Sequence, residues 1–257
     1  MADRSAAGPA PLPPLDGGPA PSNVDRVAEA LRSALAAGRF QPGDRIKEAP
    51  IAAQLGMSRG PVRDALRVLQ EEGLLSLKPN VGAVVPEITA LDVLEVYALR
   101  AAIGSVALRK LTEDPDPSAR VRSSYEAVLA AGARAIEEEF TEADLAFQDA
   151  IVRASGLERA ATFFERLTLQ VKMFVATLHV TYCDRRDIII AEDSAIFDGL
   201  NRGDVAAADR AWREKFQRWT SDFTSRLEAL GGEPGLWLQP AGGTAAQRPD
   251  GPGAGAR

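Results

Sequence analysis

One cysteine and one histidine are all that this 257-residue sequence holds of the two residue types that most often ligate soft metals or run nucleophilic chemistry. Cys183 alone excludes an intrachain disulfide and cannot supply a multi-cysteine zinc site, which suits a reducing cytosol; it reads as a small buried hydrophobe. No apolar run approaches the ~18 residues of a membrane-spanning helix. The opening stretch "MADRSAAGPAPLPPLDGGPAPS" lacks the charged start and apolar middle of a secretory signal. A basic excess is also missing: 30 basic against 36 acidic residues give a formal charge of −6, so any nucleic-acid site has to be local. With one His, one Cys and no nucleophile motif, catalysis is not expected. The expectation is a cytoplasmic protein with no membrane partner.

What is present divides into two unlike regions. Residues 1–21 and 232–257 are rich in Pro, Ala and Gly and are expected to be disordered. Residues 22–87 carry nine basic and eight acidic groups, whereas residues 88–231 hold a net −6 and the two tails sum to −1. With 46% hydrophobic residues the chain can fill one large core or two modest ones.

In the first region Ser22 is placed to cap a helix whose Val24, Val27, Leu31 and Leu35 share one face, ending near Gly38. "QPGDRI" reads as a turn, Glu48 to Leu55 as a short helix with Pro50 in its first turn, and Ser58 as the cap of a further helix with Val62, Leu66 and Leu69 inward. "LLSLKPNVGAVVPE" reads as two short strands about a Pro-Asn-Val-Gly turn. This order is that of a winged helix-turn-helix. From Thr89 to Leu230 the periodicity is helical in about six segments, with breaks expected at 113–118, Phe140-Thr141, Ser155-Gly156, Cys183-Asp184 and Arg202-Gly203. The fold class is therefore mainly α: a winged helix-turn-helix with a β-hairpin wing (22–87), then an all-α bundle (88–231) in which pockets form between facing helices.

The stretch "SRGPVRDALRVLQEEGL" puts Arg59 and Arg63 on one exposed face of a helix's first turn. The second helix of a helix-turn-helix enters the major groove by that end, where backbone N–H groups also favour phosphate. An arginine fork can grip guanine O6 and N7. Gly60 removes a side chain that would hold the backbone away, Pro61 presets φ, and Arg67 is placed to meet a phosphate. In the wing, Lys78 and Asn80 are candidates for phosphate or minor-groove contact, and Gly82 serves the turn. Solvated surface charge is the bland reading of any one arginine pair; the preceding helix, the Ser cap and the hairpin together favour the DNA reading.

The segments "GRFQPGDRI", "IAAQLGMSRGPVRDALRVLQEEGLL" and "KPNVG" resemble the DNA-binding domain of the GntR superfamily of bacterial transcription regulators over residues 24–86. By that resemblance Ser58, Arg59, Gly60 and Arg63 fall on DNA-reading positions. Ala49 and Val81 depart from it, standing where many members carry an arginine.

"VYALRAAIGSVALRKL", "EADLAFQDAIVRASG" and "AEDSAIFDGLNRGDVAAADRAWREKF" resemble in order the FCD effector domain of the FadR subfamily. The resemblance implies a divalent metal on one aspartate and three histidines, holding a small carboxylate effector. Here those positions are Asp144, Gln148, Asp193 and Lys215. Asp144, Gln148 and Asp193 alone would suit a hard ion. Lys215 opposes it: at about 4 Å and an effective dielectric near 20, each unit of like charge costs roughly 4 kcal/mol. The expectation is that an ion pair from Lys215 to Asp193 or Asp144 replaces the metal and that no cofactor is held. Thr141-x-x-Asp144 also has the form of a capping box, which would leave Asp144 at a helix N-terminus.

A pocket lined by Lys215 with Arg100 and Lys172, and with His179 seven residues after Lys172, would favour an anionic effector held by charge-assisted hydrogen bonds. Trp212 and Trp219 read as core or dimer-interface anchors. The resemblance further implies a homodimer held by the helical domain, with two recognition helices on a palindromic operator. The expected function is thus a sequence-specific repressor-type regulator under control of a small anionic metabolite. The alternative is a constitutive DNA-binding or partner-binding dimer whose effector pocket is vestigial.

Overall fold

The computed structural model describes residues 22–111 and 113–229; the expected disorder of the two Pro-rich tails lies outside the described residues. Helix α1 (Asn23–Ala36) opens with a reciprocal capping box in which the Ser22 hydroxyl accepts from the Asp25 amide and Asp25 accepts from the Ser22 amide. A two-residue strand β1 (Arg45–Ile46), helix α2 (Glu48–Gln54), helix α3 (Arg59–Glu71) and strands β2 (Ser76–Lys78) and β3 (Gly82–Val84) follow. The sheet order is β1-β3-β2, antiparallel throughout, with Ile46 and Leu77 both opposite Ala83. Val27, Leu31, Ile51, Val62, Leu66, Leu69 and Ala83 close the core between these helices and the sheet.

Ser58 holds the N-cap position of α3, but its side chain makes no capping hydrogen bond. The hydroxyl is exposed, and the expectation that it closes the helix is corrected. Pro61 sits in the first turn, where it interrupts no intrahelical bond.

The second region folds as helices α4 (Ala90–Leu111), α5 (Arg122–Arg134), α6 (Glu137–Ala154), α7 (Glu158–Thr177), α8 (Arg186–Asn201) and α9 (Val205–Ala229), with a 3-10 turn at Cys183–Arg185. No helix among the described residues is long and apolar enough to cross a membrane. One break lies elsewhere than expected. The chain turns at Ala135, in the left-handed region with φ 53°, and α6 runs straight through Phe140-Thr141. Three glutamates in the first turn of α6 face the positive end of its dipole. Thr141 then bonds back to the Glu137 carbonyl at 2.9 Å from mid-helix, so its capping box with Asp144 does not exist. Trp212 and Trp219 are both core residues.

α7 joins the two regions. It ends at Thr177, short of the expected Tyr182, because His179 takes φ 49° and the Val180 amide closes onto the Val175 carbonyl at 3.0 Å. One side of α7 faces the bundle core through Phe164, Thr168 and Val171. Met173 buries itself in the core of the winged domain, with Leu169 packed beside it. Gln170 Nε2 donates to the Glu72 carbonyl at 2.9 Å, just beyond α3.

Candidate functional site

Arg59, Arg63 and Arg67 project from α3 into solvent, and Lys78, Asn80 and Gly82 are exposed along the wing. Asn80 and Gly82 take φ of 62° and 92°, which makes the tip of the hairpin. A Cβ added at Gly60 would meet nothing within 4 Å, so no intramolecular neighbour requires glycine there. Its small size leaves room for something outside the chain.

Two residues of this face carry no signal in the spacing of the arginines. Glu48, at the start of α2, accepts both Nε and Nη2 of Arg63 at 2.9 Å, a bidentate pair across the helix-turn-helix. That partner raises the Arg63 pKa, and the same hydrogen bond holds the Glu48 carboxyl below its ordinary range. Arg45, on β1, reaches across the wing to donate to the Val81 carbonyl at 2.8 Å. A basic group thus stands beside Val81, where the side chain itself is apolar. Arg67 lies 4.0 Å from Asp64 and is otherwise open to solvent.

Inside the bundle, Arg100 (α4), Asp144 and Gln148 (α6), Asp193 (α8) and Lys215 (α9) come together, all of them buried. Lys215 Nζ lies 2.5 Å from an oxygen of Asp144 and 2.5 Å from an oxygen of Asp193. Gln148 donates to the second Asp144 oxygen at 3.0 Å and accepts from Arg100 Nη2 at 2.6 Å. Arg100 Nη1 donates to the Thr168 hydroxyl, which donates in turn to Asp149 at 2.7 Å. The guanidinium also lies 4.1 Å over the Phe164 ring. Three buried atoms near this cluster lack a hydrogen-bond partner: Arg100 Nε, Asp193 Oδ2 and Glu192 Oε2.

Burial pulls Lys215 toward its neutral form, but the charges of Asp144 and Asp193 outweigh it and its pKa rises. Burial pushes the Asp193 carboxyl well up and raises that of Asp149 against the nearby Arg100. For Arg100 burial is the larger effect, and its pKa falls. A cavity of about 10 Å3 adjoins the cluster, lined by Arg100, Gln148, Lys215, Tyr97, Tyr182 and Trp219 among others. It has room for about one water molecule.

Lys172 and His179 are not part of this cluster, which corrects the expectation of one shared pocket. Both line a cleft of about 770 Å3 between α1 and the α6–α7 pair. Lys172 is paired there with Glu142 at 2.5 Å, and His179 is exposed. Lys172 lies on the side of α7 turned to the winged domain and His179 just beyond its end, whereas Thr168 and Val171 face the bundle.

Residues 23–85 match the family described as bacterial regulatory proteins, gntR family, and residues 95–218 match the FCD domain. An uncharacterized HTH-type transcriptional regulator from the TAR-I ttuE-ttuC' intergenic region of Agrobacterium vitis is 34% identical over 138 residues, 52% of this chain and 81% of the relative. This chain belongs to the GntR family. Its winged head and FCD body give it the FadR-like architecture within that family. A second relative, named as a probable D-xylose utilization operon transcriptional repressor of Paenarthrobacter nicotinovorans, is 30% identical and spans 73% of this chain and 83% of its own length. The solved structure of E. coli McbR/YncC has the same fold, with a TM-score of 0.69 at 23% identity over 80% of this chain and 99% of that one. A GntR-family regulator binds DNA, and Arg59, Arg63 and Arg67 are exposed on α3, the second helix of the helix-turn-helix.

The metal that the FCD resemblance implies does not fit these side chains. Among the described residues no three His, Cys, Asp or Glu side chains are arranged to hold an ion. The Lys215 ammonium already contacts both carboxylates.

Proposed function

We propose that this GntR-family regulator is a homodimeric repressor that reads a palindromic operator through Arg59 and Arg63. A small anionic metabolite entering the bundle beside Arg100 changes its operator affinity. The observation that carries the effector reading is Arg100 itself: a fully buried cation whose hydrogen-bond partners are the neutral groups of Thr168 and Gln148, with Nε unpartnered beside the cavity. An incoming carboxylate or phosphate would satisfy that N–H. The cavity has to expand to admit it, so the ligand selects an opened arrangement, and this unequal affinity is what allows it to shift operator binding.

A helical face of α4 supports the dimer. Leu91, Ala98, Leu99, Ala102 and Val106 are exposed along it, a spacing that forms one apolar stripe. A second copy laid against this stripe would hold two recognition helices in a fixed relation. Replacing Leu99 by Lys is expected to give monomers in analytical ultracentrifugation and to weaken palindromic operator binding much more than binding to random DNA.

The operator role is tested with Arg63→Ala. A lost bidentate contact costs about 1–3 kcal/mol, roughly five- to hundredfold in specific affinity. Unchanged specific affinity would refute the assignment. The alternative of a vestigial pocket has its own support in the ~10 Å3 cavity and the carboxylate-bound Lys215. Thermal melting with sulfate and a panel of mono- and dicarboxylic acids separates the two readings. A ligand that raises the melting temperature of wild type but not of Arg100→Met supports effector control; no shift with any of them supports the constitutive form.

A further inference from the structure

We propose that the Lys215 ammonium is a built-in substitute for a divalent metal: a cation tethered to α9 that braces the helical domain and frees it from metal. Four observations carry this. Lys215 Nζ bridges Asp144 Oδ1 and Asp193 Oδ1, donating to both carboxylates at once. The ammonium therefore stands where an ion shared by these carboxylates would stand. Both carboxylates and the lysine are 0–1% exposed, so water does not neutralise them, and a charge of opposite sign has to be supplied from within.

The brace also has the reach of a metal centre. Asp144 comes from α6, Asp193 from α8 and Lys215 from α9. Gln148 carries the network on to Arg100 of α4 by accepting from the guanidinium and donating to the second Asp144 oxygen. Lys215 alone supplies the positive charge between the two carboxylates, on a side chain that cannot be chelated away. The adjoining cavity, about 10 Å3, has room for roughly one water and none for a hydrated ion beside the ammonium.

The arrangement makes one residue decisive. With an imidazole in place of the ammonium at position 215, the same two buried carboxylates and the Gln148 carboxamide surround a neutral donor, and a divalent ion regains its position. The test uses the full chain purified without chelator or metal-binding tag. Wild type is expected to carry far less than one divalent ion per chain by mass spectrometry and to melt at the same temperature with EDTA or with added Zn2+ or Mn2+. Lys215→His is expected to take up about one ion per chain and to melt several degrees higher with the metal than with EDTA.

Close to one ion per wild-type chain, or a melting temperature that EDTA lowers, would overturn the proposal. So would a folded Lys215→His that takes up neither metal. A second pair of variants covers the case in which Lys215→His does not fold. Lys215→Met alone is expected to melt far below wild type, because it strands two buried carboxylates, and Asp144→Asn with Asp193→Asn in the same chain is expected to recover much of the loss. A Lys215→Met protein as stable as wild type would show that the ammonium braces nothing.

Discussion

Arg63, the residue proposed to read the operator, is held in place by its own chain. The Glu48 carboxylate grips two of its nitrogens at 2.9 Å, which fixes the direction of a side chain that would otherwise sample many rotamers. More than half of the Arg63 side chain is open to solvent, so the pair adds little to folding. Its use lies in aiming the fork. Glu48→Ala is therefore expected to melt within about a degree of wild type and to lose operator affinity several-fold. Affinity for random DNA should hold or rise, since an anion leaves the face; competition binding with operator and scrambled duplexes checks both. The Glu48 carboxyl lies below its ordinary range because of Arg63. The pair is thus fully formed at neutral pH and is lost as pH falls through that depressed value.

One acid group of the interior behaves in the opposite sense. Burial raises the carboxyl of Asp149, so it keeps its proton to higher pH than an exposed aspartate would. An anion entering beside Arg100 is better tolerated when Asp149 is neutral. Affinity for an anionic effector is accordingly expected to fall as pH rises through that elevated value, with proton uptake on binding. Calorimetry in two buffers of different ionisation enthalpy measures it, and zero proton uptake would disprove the coupling.

At the scale of the elements, α4 and α9 pack without room for a side chain at Gly104. A Cβ there would stand 2.0 Å from Trp212 Cζ2, and Trp212 is fully buried with its N–H on the Ala101 carbonyl at 3.2 Å. Gly104→Ala has to push a large ring that has nowhere to go, at a cost of about 1–3 kcal/mol in chemical denaturation. The head was legible in the sequence because its elements are bounded by strong signals: Ser22, Gly38, Gly56, Gly73 and the Pro-Asn-Val-Gly turn. The body was legible as a helical bundle, and Asp144, Gln148, Asp193 and Lys215 were legible as a group. Its helix ends were harder to place. α5 and α7 end on Ala135 and His179, each in a left-handed conformation more often taken by glycine, and neither residue type signals a stop. His179 was therefore read as a continuation of α7, and with Lys172 seven residues before it was assigned to the bundle cavity instead of the cleft beside α1. Glu48 was missed as the partner of Arg63 because a contact between residues fifteen apart leaves no local periodicity.

At the scale of the whole molecule, charge is unevenly divided: a nearly balanced head with Arg59, Arg63 and Arg67 exposed on α3, and an acidic body. The two halves are nevertheless joined by a side chain. Met173 of α7 is 5% exposed and belongs to the core of the head. Met173→Ala removes apolar packing from that core and is expected to cost about 2–5 kcal/mol. It should also separate the melting of head and body, so that scanning calorimetry resolves two transitions where one is expected for wild type. A single shifted peak would mean that other contacts hold the halves together.

That methionine also limits modularity. Regulators built as a reading head on a sensing body invite exchange of heads to redirect a sensor to a new promoter. Here the head's core is completed by a residue of the body, and the Glu72 carbonyl is met by Gln170. A transplanted head whose socket is shaped for another side chain would dock loosely, and a productive graft has to carry the middle of α7 across with it.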